Sequence, residues 1–99
     1  MHIIKRKTLV EYYNQPNHQN AKDPLEAWYY DAKNADWGSS AEIKTHYRSA
    51  SILKNNRVVF NIAGNKYRLV VRINYHSRTV FIRFIGTHRE YDKINAEVI

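Results

Sequence analysis

From Arg57 onward the sequence settles into a period of two, and this alternation constrains the fold more tightly than any other feature. Val58-Val59-Phe60-Asn61-Ile62 reads as a strand, Ala63-Gly64-Asn65 as a tight turn, and Lys66 to Tyr75 as a second strand. His76-Ser77-Arg78 supplies the next turn and Thr79 to Ile85 a third strand, which Gly86 ends. The expected product is a three-strand meander. Side chains alternate across a strand, so Tyr67, Leu69, Val71 and Ile73 share one face while Lys66, Arg68, Val70, Arg72 and Asn74 share the other. One face is core and the other cationic. Arg83 falls on a face with Phe81 and Ile85, and its direction relative to Arg68 depends on a pairing register that alternation alone leaves open.

The first half carries helical spacing instead. His2-Ile3-Ile4 is a short β-like segment suited to completing a sheet edge, and Thr8 to Gln15 carries Leu9, Val10, Tyr12 and Tyr13 as a helical stripe. Pro16 to Asn20 forms a polar loop. Asp23 suits an N-cap, Pro24 the first helical position and Glu26 the third, ahead of a Leu25, Trp28, Tyr29, Ala32 stripe expected to pack on the sheet. Ser39 and Glu42 repeat the capping-box spacing before Ile43, Tyr47 and Arg48, and Trp37 between these helices reads as a packing anchor. Thr87 caps a short terminal helix holding His88, Glu90, Tyr91, Asp92 and Ile94. Helices grouped before strands predict an α+β fold in which N-terminal helices cover one face of a small antiparallel sheet, the other face stays open, and a short helix closes the chain. With 99 residues, a single domain spanning 1–99 is expected.

Charge is distributed unevenly over this plan. Residues 1–50 hold seven Lys/Arg against six Asp/Glu, a balance of +1, whereas residues 51–99 hold nine against three, a balance of +6. No acidic residue lies between Glu42 and Glu90, an interval that contains Lys54, Arg57, Lys66, Arg68, Arg72 and Arg83. A field of this sign favours a polyanion. The same charges also suit the solvated face of a half-buried sheet, so charge by itself does not choose between the two.

Several chemistries are excluded by residue type. No cysteine is present, and the histidines, His2, His18, His46, His76 and His88, are scattered without ligand spacing, so no metal and no cofactor is expected. Gly-rich phosphate loops and nucleophile elbows are absent. The N-terminal residues lack the apolar run of a signal peptide, and runs such as Leu69-Val70-Val71 are far too short to cross a bilayer, giving the expectation of a cytoplasmic protein with no membrane partner. Metal-free acid–base chemistry on RNA remains. RNA carries its own nucleophile, the 2′-hydroxyl, so cleavage needs a base, a proton donor to the leaving 5′-oxygen and cations for the charge on phosphorus. Lys66, Arg68, Arg83, His88 and Tyr91 offer those groups, although a histidine near a helix start is more often structural than catalytic.

Two segments, Phe60 to Val70 and the run Val80-Phe81-Ile82-Arg83-Phe84-Ile85-Gly86-Thr87-His88-Arg89-Glu90-Tyr91-Asp92, resemble the HigB family of mRNA interferase toxins in the RelE/ParE superfamily. The Met-His-Ile-Ile start, the Pro24 to Tyr30 helix and the Trp37 region resemble it too, so the likeness spans nearly the whole chain. That resemblance implies a RelE-like fold and a type II toxin that cleaves mRNA on the translating ribosome. It implies a HigA-like helix-turn-helix antitoxin as partner and operator DNA reached through the toxin–antitoxin complex. It implies catalytic roles for Lys66, Arg68, Arg83, His88 and Tyr91, with Asp92 orienting a neighbouring base, while Lys54, Arg57, Lys66, Arg72 and Arg89 are expected from their charge to contact the RNA. A non-catalytic RNA-binding or protein-interaction module is the alternative, and a ParE-like gyrase inhibitor a weaker one.

Overall fold

The computed structural model describes residues 1–99. In chain order the elements are β1 (His2–Ile4), α1 (Arg6–Tyr13), a 3-10 turn (Gln19–Ala21), α2 (Lys22–Asn34), α3 (Ser40–His46), β2 (Ser51–Ile52), β3 (Arg57–Ile62), β4 (Tyr67–Asn74), β5 (Thr79–Thr87) and α4 (His88–Tyr91). One five-stranded sheet runs in the order β1-β5-β4-β3-β2. The meander over β3, β4 and β5 is antiparallel, as its short turns require. The expected purely antiparallel sheet is corrected at one edge, because β1 pairs in parallel with β5, His2 opposite Thr79 and Ile4 opposite Phe81. A parallel partner is reached by a long crossover, here the whole stretch from α1 to β4.

The α+β layering holds. Leu9, Tyr12 and Tyr13 of α1, Leu25, Trp28 and Ala32 of α2, and Ile43 of α3 form one core with Phe60, Tyr67, Leu69, Val71 and Ile73 of the sheet. Trp28 meets Phe60 edge-on at 5.4 Å, and Trp37, 3% exposed, stacks near the same ring at 6.0 Å. Trp37 is thus the packing anchor its position suggested. Helix α2 begins earlier than the Asp23 cap predicts: the 3-10 turn runs directly into it, Ala21 is the N-cap, and no side chain caps it. Asp23 and Pro24 then lie within the first turn, where a carboxylate favours the helix dipole and a missing N–H leaves no intrahelical bond unmade. Ser39 does cap α3, accepting from the Glu42 N–H at 3.4 Å.

The second face of the sheet differs from expectation in two ways. First, β5 bulges: Val70 pairs with Phe84 but Val71 with Ile82, leaving Arg83 as the extra residue. The bulge switches the parity of the strand, so Ile82 and Ile85 both reach the core and Phe84 joins the opposite face. Arg83 therefore does not share a face with both Phe81 and Ile85 as simple alternation requires. Second, this face is not open at its centre, because residues 92–99 fold back across it and bury Ala96 against Val59 and Val70, with Phe84, Tyr91 and Ile94 around them. An aliphatic middle row on an exposed sheet face is the physical reason for that cover.

Candidate active site at the β4–β5–α4 end

Strand register sets three rows of side chains on the second face: Arg57, Arg72 and Phe81; Val59, Val70 and Phe84; Asn61, Arg68 and Gly86. The tail covers the middle row and divides the cationic face in two.

At the far end, Arg68 is half-exposed beside Gly86, whose missing side chain leaves space toward α4. A Cβ at Gly86 would lie 2.5 Å from Phe84 Cζ and 3.1 Å from Glu90 Cβ, so glycine is required for strand, ring and helix to approach this closely. The Arg68 guanidinium carbon sits 5.8 Å from the centroid of the Tyr91 ring, within cation–π range. Tyr67 pairs with Thr87, so Lys66 and His88, one position beyond each, stand at the same end of the hairpin. Both are exposed. His88 Nδ1 lies 3.4 Å from Asp92 Oδ2 one helical turn on, the relationship expected of a carboxylate that orients an imidazole.

Helix α4 is only four residues long, and its position depends on its cap. Thr87 Oγ1 accepts from the Glu90 N–H at 3.2 Å while Glu90 Oε1 accepts from the Thr87 N–H at 2.8 Å, a reciprocal capping box. Tyr12 of α1 donates its hydroxyl to the same Oε1 at 3.3 Å, tying α4 to a helix 78 residues away in sequence. The Thr87 N–H holds the Glu90 carboxyl below the ordinary range, and Tyr12 and His18 act in the same direction against the opposing effect of burial. Burial, reinforced by the Glu90 charge, pushes the Tyr12 phenol up, so it remains a donor. His18 stacks on Tyr12 with ring centroids 4.1 Å apart, and both meet Tyr67 edge-on. Thr87 and Glu90 were visible in sequence at capping-box spacing; the contribution of Tyr12 and His18 was not, because it arises only from long-range packing.

The remaining predicted residues lie elsewhere. Arg83 is exposed at the bulge and lines a groove of about 340 Å³ between α1 and β5. Arg72 is half-exposed over the Phe81 ring at 5.6 Å, while Lys54 and Arg89 are exposed on the β2–β3 loop and on α4. Arg57 is 8% exposed and its donors are used within the chain: Nη1 donates to the Asn55 carbonyl at 2.8 Å, Nε to the Ile99 carbonyl at 2.9 Å, and Nη2 to that same carbonyl. Burial, followed by the charges of Arg83 and Arg72, makes its proton easier to lose. This geometry assigns Arg57 to holding the tail, since it is buried and each of its three nitrogens already donates within the chain.

A larger concavity of about 530 Å³ lies between α2 and α3, lined by Asp31, Asp36, Glu42, Trp37 and Tyr30. Its carboxylates carry the wrong sign for RNA. No grouping of three or more His, Asp or Glu side chains has metal-site geometry, and no helix is long and apolar enough to cross a membrane.

Over 97 residues, 95% of this chain and 91% of the relative, the sequence is 30% identical to the mRNA interferase HigB of Escherichia coli O6:H1. It is 29% identical over 99 residues to the mRNA interferase toxin HigB of Escherichia coli K12 and to the mRNA interferase HigB of Shigella flexneri, covering 97% of this chain and 92% of each. Residues 21–94, which include every strand of the meander and α4, match the HigB toxin family, and the chain therefore belongs to that family, the RelE-like toxic component of a toxin-antitoxin system.

Proposed function

We propose that this chain, acting as one domain over residues 1–99, is a metal-independent endoribonuclease that cleaves mRNA on the translating ribosome and so stops translation. The observation that carries the proposal is the meeting of Arg68, Tyr91, His88 and Lys66 at one end of the sheet, in a member of a toxin family whose similar proteins are named mRNA interferases.

The reaction needs no group the chain lacks. The 2′-hydroxyl attacks the adjacent phosphorus, the P–O5′ bond breaks, and the products are a 2′,3′-cyclic phosphate and a free 5′-hydroxyl. One side chain takes the 2′-proton and another delivers a proton to O5′; His88, oriented by Asp92, and Lys66 are the two proton-transfer candidates. Arg68 faces the phosphate and stabilises the charge that develops on its oxygens, a bidentate task suited to guanidinium. Tyr91, held against Arg68, positions the 2′-hydroxyl side of the substrate. Arg83, exposed in the groove beside α1, contacts a neighbouring nucleotide, while Lys66 and Arg89 add positive charge at the same end and Arg72 and Lys54 offer it on the other side of the tail. Arg57 is omitted from the RNA contacts because it is buried and each of its nitrogens already donates to the Asn55 or Ile99 carbonyl.

Toxin-family membership implies an antitoxin partner. We assign that role to a HigA-like helix-turn-helix protein, with operator DNA bound through the complex and the toxin itself cytoplasmic. Primer extension on mRNA from cells induced for the wild type tests the reading. Discrete new 5′ ends within coding sequence are expected, and Arg68→Ala or His88→Ala should remove both the ends and the growth arrest. Intact transcripts in arrested wild-type cells would refute ribonuclease action.

A further inference from the structure

Beside the proposed catalytic end, α1 and β5 enclose the 340 Å³ groove, with Tyr12, Phe84 and Ile85 as apolar walls and Thr8, Glu11, Gln15 and Arg83 as polar ones. Three features make it more than a crevice. It lies along an unpaired sheet edge: β1 pairs with β5 only as far as Phe81, so no strand covers the backbone of residues 83–85 on that side. It adjoins α4, because Tyr12 bonds Glu90 and Phe84 packs against Gly86 and Glu90. It also combines one guanidinium with one carboxylate, Arg83 with Glu11.

Resting on the ribonuclease reading, we infer that this groove receives an unpaired RNA base next to the scissile phosphate and selects bases that carry an exocyclic amino group, adenine, cytosine or guanine, against uracil. Apolar walls and an aromatic ring suit the faces of a base splayed out of a single strand. Arg83 holds a phosphate of the same nucleotide. Glu11 is the discriminating group: an ionised carboxylate only accepts hydrogen bonds, so it matches an exocyclic amino group, whereas uracil presents a single N3–H flanked by two carbonyls that repel the carboxylate. Gln15 does not supply an equivalent acceptor, since its Oε1 already meets His18 Nδ1 at 3.0 Å.

The test uses the whole chain in growing cells, with wild type and Glu11→Gln each induced and the 5′-hydroxyl ends of mRNA fragments mapped across the transcriptome. Glu11 is exposed on α1, so the isosteric amide leaves the fold intact, and an amide both donates and accepts and therefore accommodates uracil. Wild type is expected to avoid uracil at one fixed position beside the cut by about tenfold, the scale of one hydrogen bond to a charged group. Glu11→Gln should cut as many transcripts with that avoidance reduced to near parity. An unchanged positional bias in the variant, or no bias in the wild type, overturns the groove while leaving the ribonuclease reading intact. Loss of cutting in Glu11→Gln alone also overturns it, since a specificity group is not needed for the chemistry. Absence of fragments from the wild type defeats the ribonuclease reading and the groove with it.

Discussion

The guanidinium of Arg68 on β4 lies over the ring of Tyr91 on α4, 5.8 Å from its centroid, and this contact joins the sheet to the helix that carries His88. The tyrosine has two separable properties, a ring that meets Arg68 and a hydroxyl that is free to meet substrate. Tyr91→Phe keeps the ring and should melt within about 0.5 kcal/mol of wild type, whereas Tyr91→Ala also loses packing against the Val59–Val70 cluster and should cost roughly 1–3 kcal/mol. If the hydroxyl positions RNA, Tyr91→Phe still lowers cleavage by about tenfold or more. Equal cleavage by Tyr91→Phe and wild type, at matched folded concentration, would remove the hydroxyl from the mechanism.

Arg57 looks like its neighbours in sequence and behaves differently in the fold. Its three hydrogen bonds to the Asn55 and Ile99 carbonyls pin the tail across the sheet. Arg57→Ala should therefore act on stability, lowering it by roughly 1–3 kcal/mol because the Asn55 and Ile99 carbonyls lose charged donors and the tail loosens. Thermal melting reads this directly, and hydrogen exchange of residues 94–99 should accelerate in step. A variant that melts like wild type but binds RNA more weakly would return Arg57 to the RNA face.

Legibility in the sequence followed the range of the interaction. The strands, their turns, the Trp28 stripe and the α4 cap are local patterns of period or spacing, and they appear close to where those patterns place them, except that β5 runs through Gly86, expected to end it, as far as Thr87. Several features escaped. Arg83 as a bulge residue depends on how β5 pairs with β4, since Ile82 and Ile85 cannot both face the core in a regular strand. The tail over Val70 and the bond from Tyr12 to Glu90 join residues far apart in the chain, and no local period encodes them. The parallel β1–β5 edge escaped for the same reason. Accordingly, residues placed by alternation, such as Arg68, stand as expected, while one placed by charge alone, Arg57, does not.

Glu90 links stability to pH. Its carboxyl is held below the ordinary range by the Thr87 N–H, so the folded chain favours the ionised form more strongly than the unfolded chain does. That stabilisation is fully present above the unfolded value, about pH 4.3 for a glutamate, and disappears as pH falls through the lower folded value. Acidification from pH 6 toward pH 3 should therefore destabilise wild type more than Glu90→Gln, with the two melting temperatures converging at the acid end. The group is largely exposed, which keeps the difference small. Parallel melting curves across that range would contradict the assignment of the capping box as the pH-sensitive contact.

Gly86 is the point where strand, ring and helix come closest, and it permits a test of coupling between them. A methyl group there meets Phe84 Cζ at 2.5 Å and Glu90 Cβ at 3.1 Å, so either the ring or the helix must move. The ring has room to rotate only at the cost of its packing with Val70, and the helix only by opening the Thr87–Glu90 cap. Gly86→Ala is expected to lose about 1–3 kcal/mol of stability, the usual cost of overpacking. Its effect on cleavage should exceed what the folded fraction accounts for, because displacing α4 moves His88 and Tyr91 relative to Arg68. Shortening the obstructing ring separates the two routes. If the ring is what yields, adding Phe84→Leu to Gly86→Ala relieves the clash, and the double variant melts higher than the sum of the single effects allows. Recovery of cleavage along with stability would tie activity to the position of α4, whereas simple additivity of the two substitutions would show that Gly86 and Phe84 do not constrain each other.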